Sequence, residues 1–351
     1  MSTPLVSIVI NNFNYARFLP QSIESALSQT HPRTEVVVVD DASSDGSPDV
    51  IRRYGDRVVA VLQKRNGGQG AAVNAGFTAS HGDIVIFLDA DDYLYPDAVA
   101  RVASAWATGI SKLQYRLHLV DDAGEKIDLF PAPEVGFDSG DVVPQLLLAG
   151  RYETTVTSGN AFARDALEKV LPVPEVEFRI SADGYLVTVT PFHGPVVSID
   201  EPLGAYRMHG ANAWAQAGSV LAERLRQSLA HDAHKYRALG KKAREMGLEV
   251  SSGLGMRDHC HLATRLASVC LDPTHHPYAG DSRMALAMRG AISSRRARLP
   301  WKRRCILAAW FLLVGVLPRR LASPVVSWRL APAARPHGVA RVLKAVRRMV
   351  R

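Results

Sequence analysis

GDIVIFLDADD, residues 82–92, sets five apolar residues, Ile84 to Leu88, directly before three carboxylates, Asp89, Asp91 and Asp92. A short unbroken apolar run of this length reads as a strand buried on both faces. Three carboxylates crowded at its end are costly to bury without a counter-charge. A hard divalent cation removes that conflict, since Mg²⁺ takes one or two carboxylates together with substrate phosphates, and Mn²⁺ accepts similar oxygen ligands. A solvated turn rich in aspartate is the plain alternative.

Working outward, Leu5 to Ile10, Val36 to Val39 and Val58 to Leu62 read as three earlier strands. Helices are expected from Phe18 to about Gln29, from Ser47-Pro48 onward, over Gly70 to Ala79 and over Pro96 to Ala107. Strands alternating with helices imply an α/β fold with a mostly parallel sheet between helices. Ligands bind beyond the carboxyl ends of such strands, where Asp40-Asp41 and Asp89 to Asp92 lie. After Ser111 the pattern changes. Leu113 to Val120 resembles a strand, Val142 to Leu148 a helix, and 186–190 and 196–199 two further short elements. Three helical patterns follow, over 219–246, 257–271 and 282–298.

The chain has 351 residues and is 47% hydrophobic, which suits a globular protein of two to three domains or of one large domain with an appendage. Its net charge of +8 is unevenly placed: residues 282–351 hold 17 Lys or Arg and no Asp or Glu. The three cysteines, Cys260, Cys270 and Cys305, form no CxxC pair, which argues against a disulfide framework or a structural zinc site. The start, MSTPLVSIVINNFN, reads as a first strand rather than a targeting segment.

Other stretches carry chemistry less directly. Asp40 and Asp41 suit either the cap of the loop through Ser43 to Asp45 or hydrogen bonds to a base or ribose. QKRNGGQGAAVNAG, residues 63–76, has the small residues that let a ligand approach the backbone. It is neither a P-loop nor the dinucleotide fingerprint. Asp183 in RISADGYL and His209 in YRMHGAN stand alone in sequence. No GxSxG elbow or HExxH helix is present, which leaves serine-hydrolase and zincin readings without an anchor.

Five ordered blocks, VSIVINNFNYARFLPQSIESALSQT, EVVVVDDASSDGS, NGGQGAAVNAG, GDIVIFLDADD and PLGAYRMHGAN, together resemble family 2 of inverting glycosyltransferases with the GT-A fold. They span residues 4–212, about 60% of the chain. The resemblance implies a UDP-, GDP- or dTDP-sugar donor contacted by Asn11, Asp40, Asp41, Asn66, Asn74, Asp89 and Ala90. It implies Mn²⁺ or Mg²⁺ held by Asp89, Asp91 and His209, and Asp183 as the catalytic base. Ala182 stands where the family carries Glu, and Val73 where several relatives carry Arg against the diphosphate. Lys64, Arg65 and Arg207 are candidates to replace that contact. Thr157 to Asn160 resembles the segment lining the acceptor side. The implied activity is inverting transfer of a sugar to a hydroxyl of a glycan or lipid-linked acceptor in bacterial cell-surface polysaccharide synthesis. A non-catalytic sugar-nucleotide scaffold and a nucleotidyltransferase are the alternatives. The loops at 130–140 and 210–218 are candidate covers against water.

Residues 1–212 are expected to form the GT-A domain, 213–298 a helical appendage and 299–351 a basic amphipathic segment. Cys305 to Leu317 is an apolar run of 13 residues bracketed by Arg303-Arg304 and Arg319-Arg320. It is short for a spanning helix, which needs about 20 residues. It suits either a buried helix of the appendage or a helix lying on an anionic membrane surface, and the closing stretch ARVLKAVRRMVR suits the same surface. No nucleic-acid motif accompanies the charge. The expected place is the cytoplasm, peripheral at the inner face of the bacterial membrane.

Overall fold

A computed structural model describes residues 3–209 and 221–330, with the single positions 338 and 341. In chain order its elements are β1 Val6–Asn12, α1 Leu19–Leu27, β2 Thr34–Asp40, α2 Ser47–Arg52, β3 Val59–Leu62, α3 Gln69–Ala79 and β4 Ile84–Asp89. Then come β5 Tyr93–Leu94, α4 Ala98–Ala105, β6 Lys112–Val120, β7 Lys126–Phe130, α5 Val143–Ala149, β8 Asn160–Ala163, α6 Arg164–Glu168, α7 Ala182–Val189 and β9 Val196–Arg207. The helices α8 Leu221–Glu245, α9 His259–Leu271, α10 Arg283–Ser294, α11 Trp301–Val316 and α12 Arg319–Leu330 follow.

The sheet runs β3-β2-β1-β4-β8-β6-β9-β5, with β7 on β6. Its first four strands are parallel. β8 is antiparallel to β4 and β6, and β9 is parallel to β6, so the sheet is mixed, with its parallel character concentrated in the first half. All seven residues of β1 are buried because both faces are covered. Val6, Ile8 and Ile10 point toward Leu19 and Ile23 of α1 and Val102 of α4. Val9 points the other way, toward Ala72 and Val73 of α3 and Leu186 of α7. Alternation with both faces covered turns the strand sequence into one unbroken apolar run. α3 lies close on the sheet because of Gly76, where an added Cβ would come within 2.2 Å of Val9 Cγ1.

Residues 186–190 are not a separate short element; most of them belong to α7, and 196–199 open the twelve-residue β9. β8 has four residues, too few to show a period, and is a strand only through its pairing with β4 and β6. α12 carries Pro324 inside it, which hid it as a helix.

The described residues divide into two compact units, one of 3–146, 152–209 and 238–247, the other of 147–151, 221–237 and 248–330. The first is the sheet with its helices. The second is helical, with a core that includes Leu262, Leu266, Leu286, Phe311, Val314 and Val326. The expected boundary near Asn212 and the stretch ARVLKAVRRMVR, apart from Arg341, lie outside the described residues. Among the described residues no helix is long and apolar enough to cross a membrane.

Candidate active site

Strand register brings the site together. Asn12 pairs across from Asp40, and Asn11 from Asp89, so the carboxyl ends of β1, β2 and β4 end in one polar row. Among the described residues three non-glycine residues take left-handed backbone, Asn14, Ala42 and Ser181. They sit just after β1, just after β2 and at the start of α7. Such strained backbone gathers where function over-determines the fold.

Asp40 is buried, accepting from Asn12 Nδ2 at 2.7 Å and from the Ser43 amide at 3.0 Å. It holds the loop in shape, as an Asx turn does. Asp41 accepts from the Gly67 and Gly68 amides at 2.8 and 2.7 Å. Burial pushes its carboxyl up, opposed by these amides and by the Arg179 charge. Gly68 has φ 83°, and a Cβ there would strike the Arg179 carbonyl at 2.4 Å. Only glycine lets this turn hug the segment that leads to Asp183.

The acidic turn after β4 splits into two roles. Asp92 points inward, accepting from Ser158 Oγ at 2.6 Å and from the Arg207 amide at 2.8 Å. Burial, then the charges of Asp91 and Asp89, push its carboxyl well up. Asp91 meets His209, Oδ2 to Nε2 at 2.9 Å. Asp89 accepts from Gln69 Nε2 at 2.8 Å. Burial, then the charges of Asp91 and Asp183, push Asp89 up to about 8.

Gln69 joins the two halves of the site. Its other end, Oε1, accepts from the Ala182 amide at 2.8 Å, at the first turn of α7. Asp183 follows, held by Ser181 Oγ at 2.6 Å. One side chain thus ties the acidic turn to the expected base. Nothing in the glycine-rich stretch singled out this glutamine.

The remaining expected residues divide. Asn11 is 8% exposed, and neither end of its amide has a hydrogen-bond partner among the described residues. Its Cα pairs with that of Asp89 in the strand ladder. Asn66 accepts from Arg179, a cation the sequence reading passed over. Asn74 is engaged by the protein itself: its amide bonds the Val173 carbonyl at 3.0 Å and the Val173 amide at 2.8 Å. Ala90 is buried, and its amide donates to the Asn11 carbonyl at 3.1 Å. A groove of about 730 Å³ beside β3 and α3 is lined by Gln63, Arg65, Asn66, Gly67 and Asn74, but not by Asp89, Asp91 or Asp183.

Two expectations are corrected. Arg207 cannot serve a diphosphate. It is 2% exposed, and its guanidinium donates to Gln21 Oε1 at 2.6 Å and to the carbonyls of Asp91, Asp121 and Asp122. Thr157 to Asn160 does not line an open surface either. It is buried, and Ser158 Oγ accepts from the Asp89 amide at 3.1 Å, supporting the turn from behind. Behind it, Lys112 is wholly buried and donates to Gln114, Tyr152 and Thr154. Burial among these neutral partners lowers its pKa well below the usual lysine value.

The family model for glycosyl transferase family 2 matches residues 7–121. An uncharacterised glycosyltransferase of Nostoc sp. is 38% identical over 232 residues, 64% of this chain and 71% of the relative. The chain belongs to glycosyltransferase family 2. The succinoglycan biosynthesis protein ExoO of Rhizobium meliloti is 36% identical over 155 residues, 44% of this chain and 43% of ExoO. The crystal structure of S. aureus TarS with UDP-GlcNAc superposes with a TM-score of 0.51 at 15% identity, covering 93% of this chain and 91% of that one. That likeness is one of fold, and the fold is the GT-A type.

The side chains at this rim that could hold a divalent cation are Asp89, Asp91 and His209. Asp89 and Asp91 offer carboxyl groups and His209 an imidazole beside Asp91, and the Asp89 carboxyl is raised first by burial and then by the charges of Asp91 and Asp183. Among the described residues, the group whose ligand atoms all lie within 4.8 Å of one another is Asp258, His259 and Cys260 of the helical unit, where Asp258 caps α9 through the Cys260 amide; Asp89, Asp91 and His209 do not meet that spacing.

Proposed function

We propose that this chain is a metal-dependent inverting glycosyltransferase. It moves a sugar from a nucleoside diphosphate donor to a hydroxyl of a glycan or lipid-linked acceptor in cell-surface polysaccharide synthesis. The observation that carries the reading is the Gln69 bridge, which sets the base candidate Asp183 against the acidic rim of Asp89 and Asp91.

Asp41, the orphaned amide of Asn11 and the exposed ring of Phe13 face the nucleoside end of the donor. Asp89, Asp91 and His209 would hold the cation, which supplies Lewis-acid stabilisation of the charge growing on the diphosphate. The acceptor oxygen bonds to C1 from the face opposite the leaving group. The C1–O bond breaks, its electron pair stays on the diphosphate, and the acceptor proton passes to Asp183. One displacement inverts the anomeric centre, and no second carboxylate nucleophile is needed. Lys64 and Arg65 are exposed and remain candidates for the diphosphate, whereas Arg207 does not. Of the two expected covers, 210–218 lies outside the described residues. The loop at 130–140 is tied down by buried Arg116 through the carbonyls of Pro131, Ala132 and Val135. The proposed place is the cytoplasmic face of the membrane.

The test is a screen of activated sugars with Mn²⁺, reading nucleoside diphosphate release. UDP-GlcNAc comes first, since TarS was captured with it. Diphosphate release that depends on donor and metal supports the reading. Pyrophosphate release from a nucleoside triphosphate supports a nucleotidyltransferase, and binding without turnover a scaffold.

A further inference from the structure

α11 is apolar on both sides. Leu307, Trp310, Phe311 and Val314 face the core of the helical unit. The opposite side, Cys305, Ile306, Ala309, Leu312, Leu313 and Val316, is exposed and carries no charge. Trp310 and Phe311, the aromatics of the apolar run, are therefore core residues and not the outer surface. A helix apolar all round is one covered all round.

α10 continues this surface. Gly290 lies against Phe311, and Gly315 against Ala287, where an added Cβ would come within 2.2 and 2.4 Å. These two contacts run in opposite order along the two helices, so α10 and α11 are antiparallel. They also fix which way each helix faces. At 3.6 residues per turn, Met284, Met288 and Ile292 lie about 90°, 130° and 170° round α10 from that contact line, on the side away from the core. The outer residues of α11 lie on the same side of the pair. Ile292 and Val316 are 63% and 70% exposed. The rim is cationic. Arg295, Arg296 and Lys302 stand at one end, Arg319 and Arg320 at the other, all exposed. No Asp or Glu occurs from 282 to 351.

We propose that the α10–α11 face is a docking surface for an anionic lipid bilayer, with Met288, Ile292, Leu312, Leu313 and Val316 entering the acyl boundary and the arginines meeting headgroups. Charge selects this occupant. A second copy of the same face would set two cationic rims against each other, and the chain's own basic end carries the same sign. Anionic headgroups complement the rim. The proposal rests on the peripheral-membrane part of the proposed function and not on its chemistry.

Flotation of the full chain is measured with neutral phosphatidylcholine vesicles and with vesicles that also contain phosphatidylglycerol. Binding is expected to the anionic vesicles, weakened but not abolished by salt. The triple change Leu312→Ser, Leu313→Ser and Val316→Ser is expected to lower partitioning at least about 100-fold, and Met288→Ser with Ile292→Ser at least about tenfold. Thermal unfolding and vesicle-free donor turnover should stay unchanged in both. Full binding by both variants overturns the assigned face. A concentration-dependent dimer abolished by the same changes assigns it to a second copy. A full chain that ignores both vesicles refutes membrane attachment while leaving transfer, measured without vesicles, untouched.

Discussion

Replacing Gln69 by Leu keeps most of the side-chain volume and removes both of its polar ends. The Asp89 carboxyl then loses a donor at 2.8 Å, and the Ala182 amide, in a wholly buried residue, loses its acceptor at 2.8 Å. An orphaned buried amide costs about 1–3 kcal/mol, and a hydrogen bond to the protonated Asp89 is worth about 0.5–1.5 kcal/mol. These do not add fully, so a loss of about 1–3 kcal/mol in stability is expected. The kinetic effect follows from position. If α7 relaxes and moves Asp183 by about 1 Å, turnover falls about 10²-fold. Gln69→Glu is the informative partner, because it keeps an acceptor for Ala182 but sets a carboxylate against Asp89. It should raise the Mn²⁺ concentration needed for half-maximal rate. The assay is nucleoside diphosphate release at saturating donor and metal, with thermal unfolding alongside. A Leu variant that is folded and retains wild-type kcat/KM would refute the bridge as a positioning device.

Asp183→Asn should lower turnover about 10²–10⁴-fold while donor still protects the chain from thermal unfolding; lost protection would instead make Asp183 a binding residue. Asp89 keeps its proton up to about pH 8 in the fold, because burial and the charges of Asp91 and Asp183 oppose ionisation. An unfolded aspartate releases it near pH 4. The folded state therefore binds more protons between these values, and the stability of the metal-free chain contributed by Asp89 falls as pH rises through that window. Mn²⁺ must displace the same proton, so its affinity should climb toward pH 8 and then level. Calorimetric titration in two buffers counts the released protons, and pH-independent affinity would contradict this. Gly76→Ala presses a methyl group to within 2.2 Å of Val9 and 3.0 Å of Val39, so denaturant unfolding should show a loss of about 1–3 kcal/mol. An unchanged midpoint would show that α3 can lift without penalty.

The parallel half of the fold was legible because β1, β2 and β4 are covered on both faces and so spell continuous apolar runs. The carboxylates ending them were legible for the same reason, since a charged residue after such a run marks the rim. What was hidden depends on contacts across long stretches of chain. Gln69 acquires its role from Asp89, 20 residues away, and Ala182, 113 residues away. Asp92 looks equivalent to Asp91 in sequence, and only the partners Ser158 and Arg207 turn it inward. Arg207 looked like a phosphate contact until its guanidinium was seen closed over by backbone carbonyls. In α11 the apolar run was plain, but not the division that sends Trp310 and Phe311 inward and Leu312 and Leu313 outward. That division follows from how Gly290 and Gly315 admit the neighbouring helix.

Anomalous diffraction at the manganese edge, from crystals grown with Mn²⁺ and UDP, tests the central claim most directly. The account predicts a peak bonded to Asp91 and His209 and within reach of Asp89, with UDP phosphate oxygens completing the shell. Density for UDP with no manganese at this turn, or manganese found only at Asp258, His259 and Cys260, would contradict it.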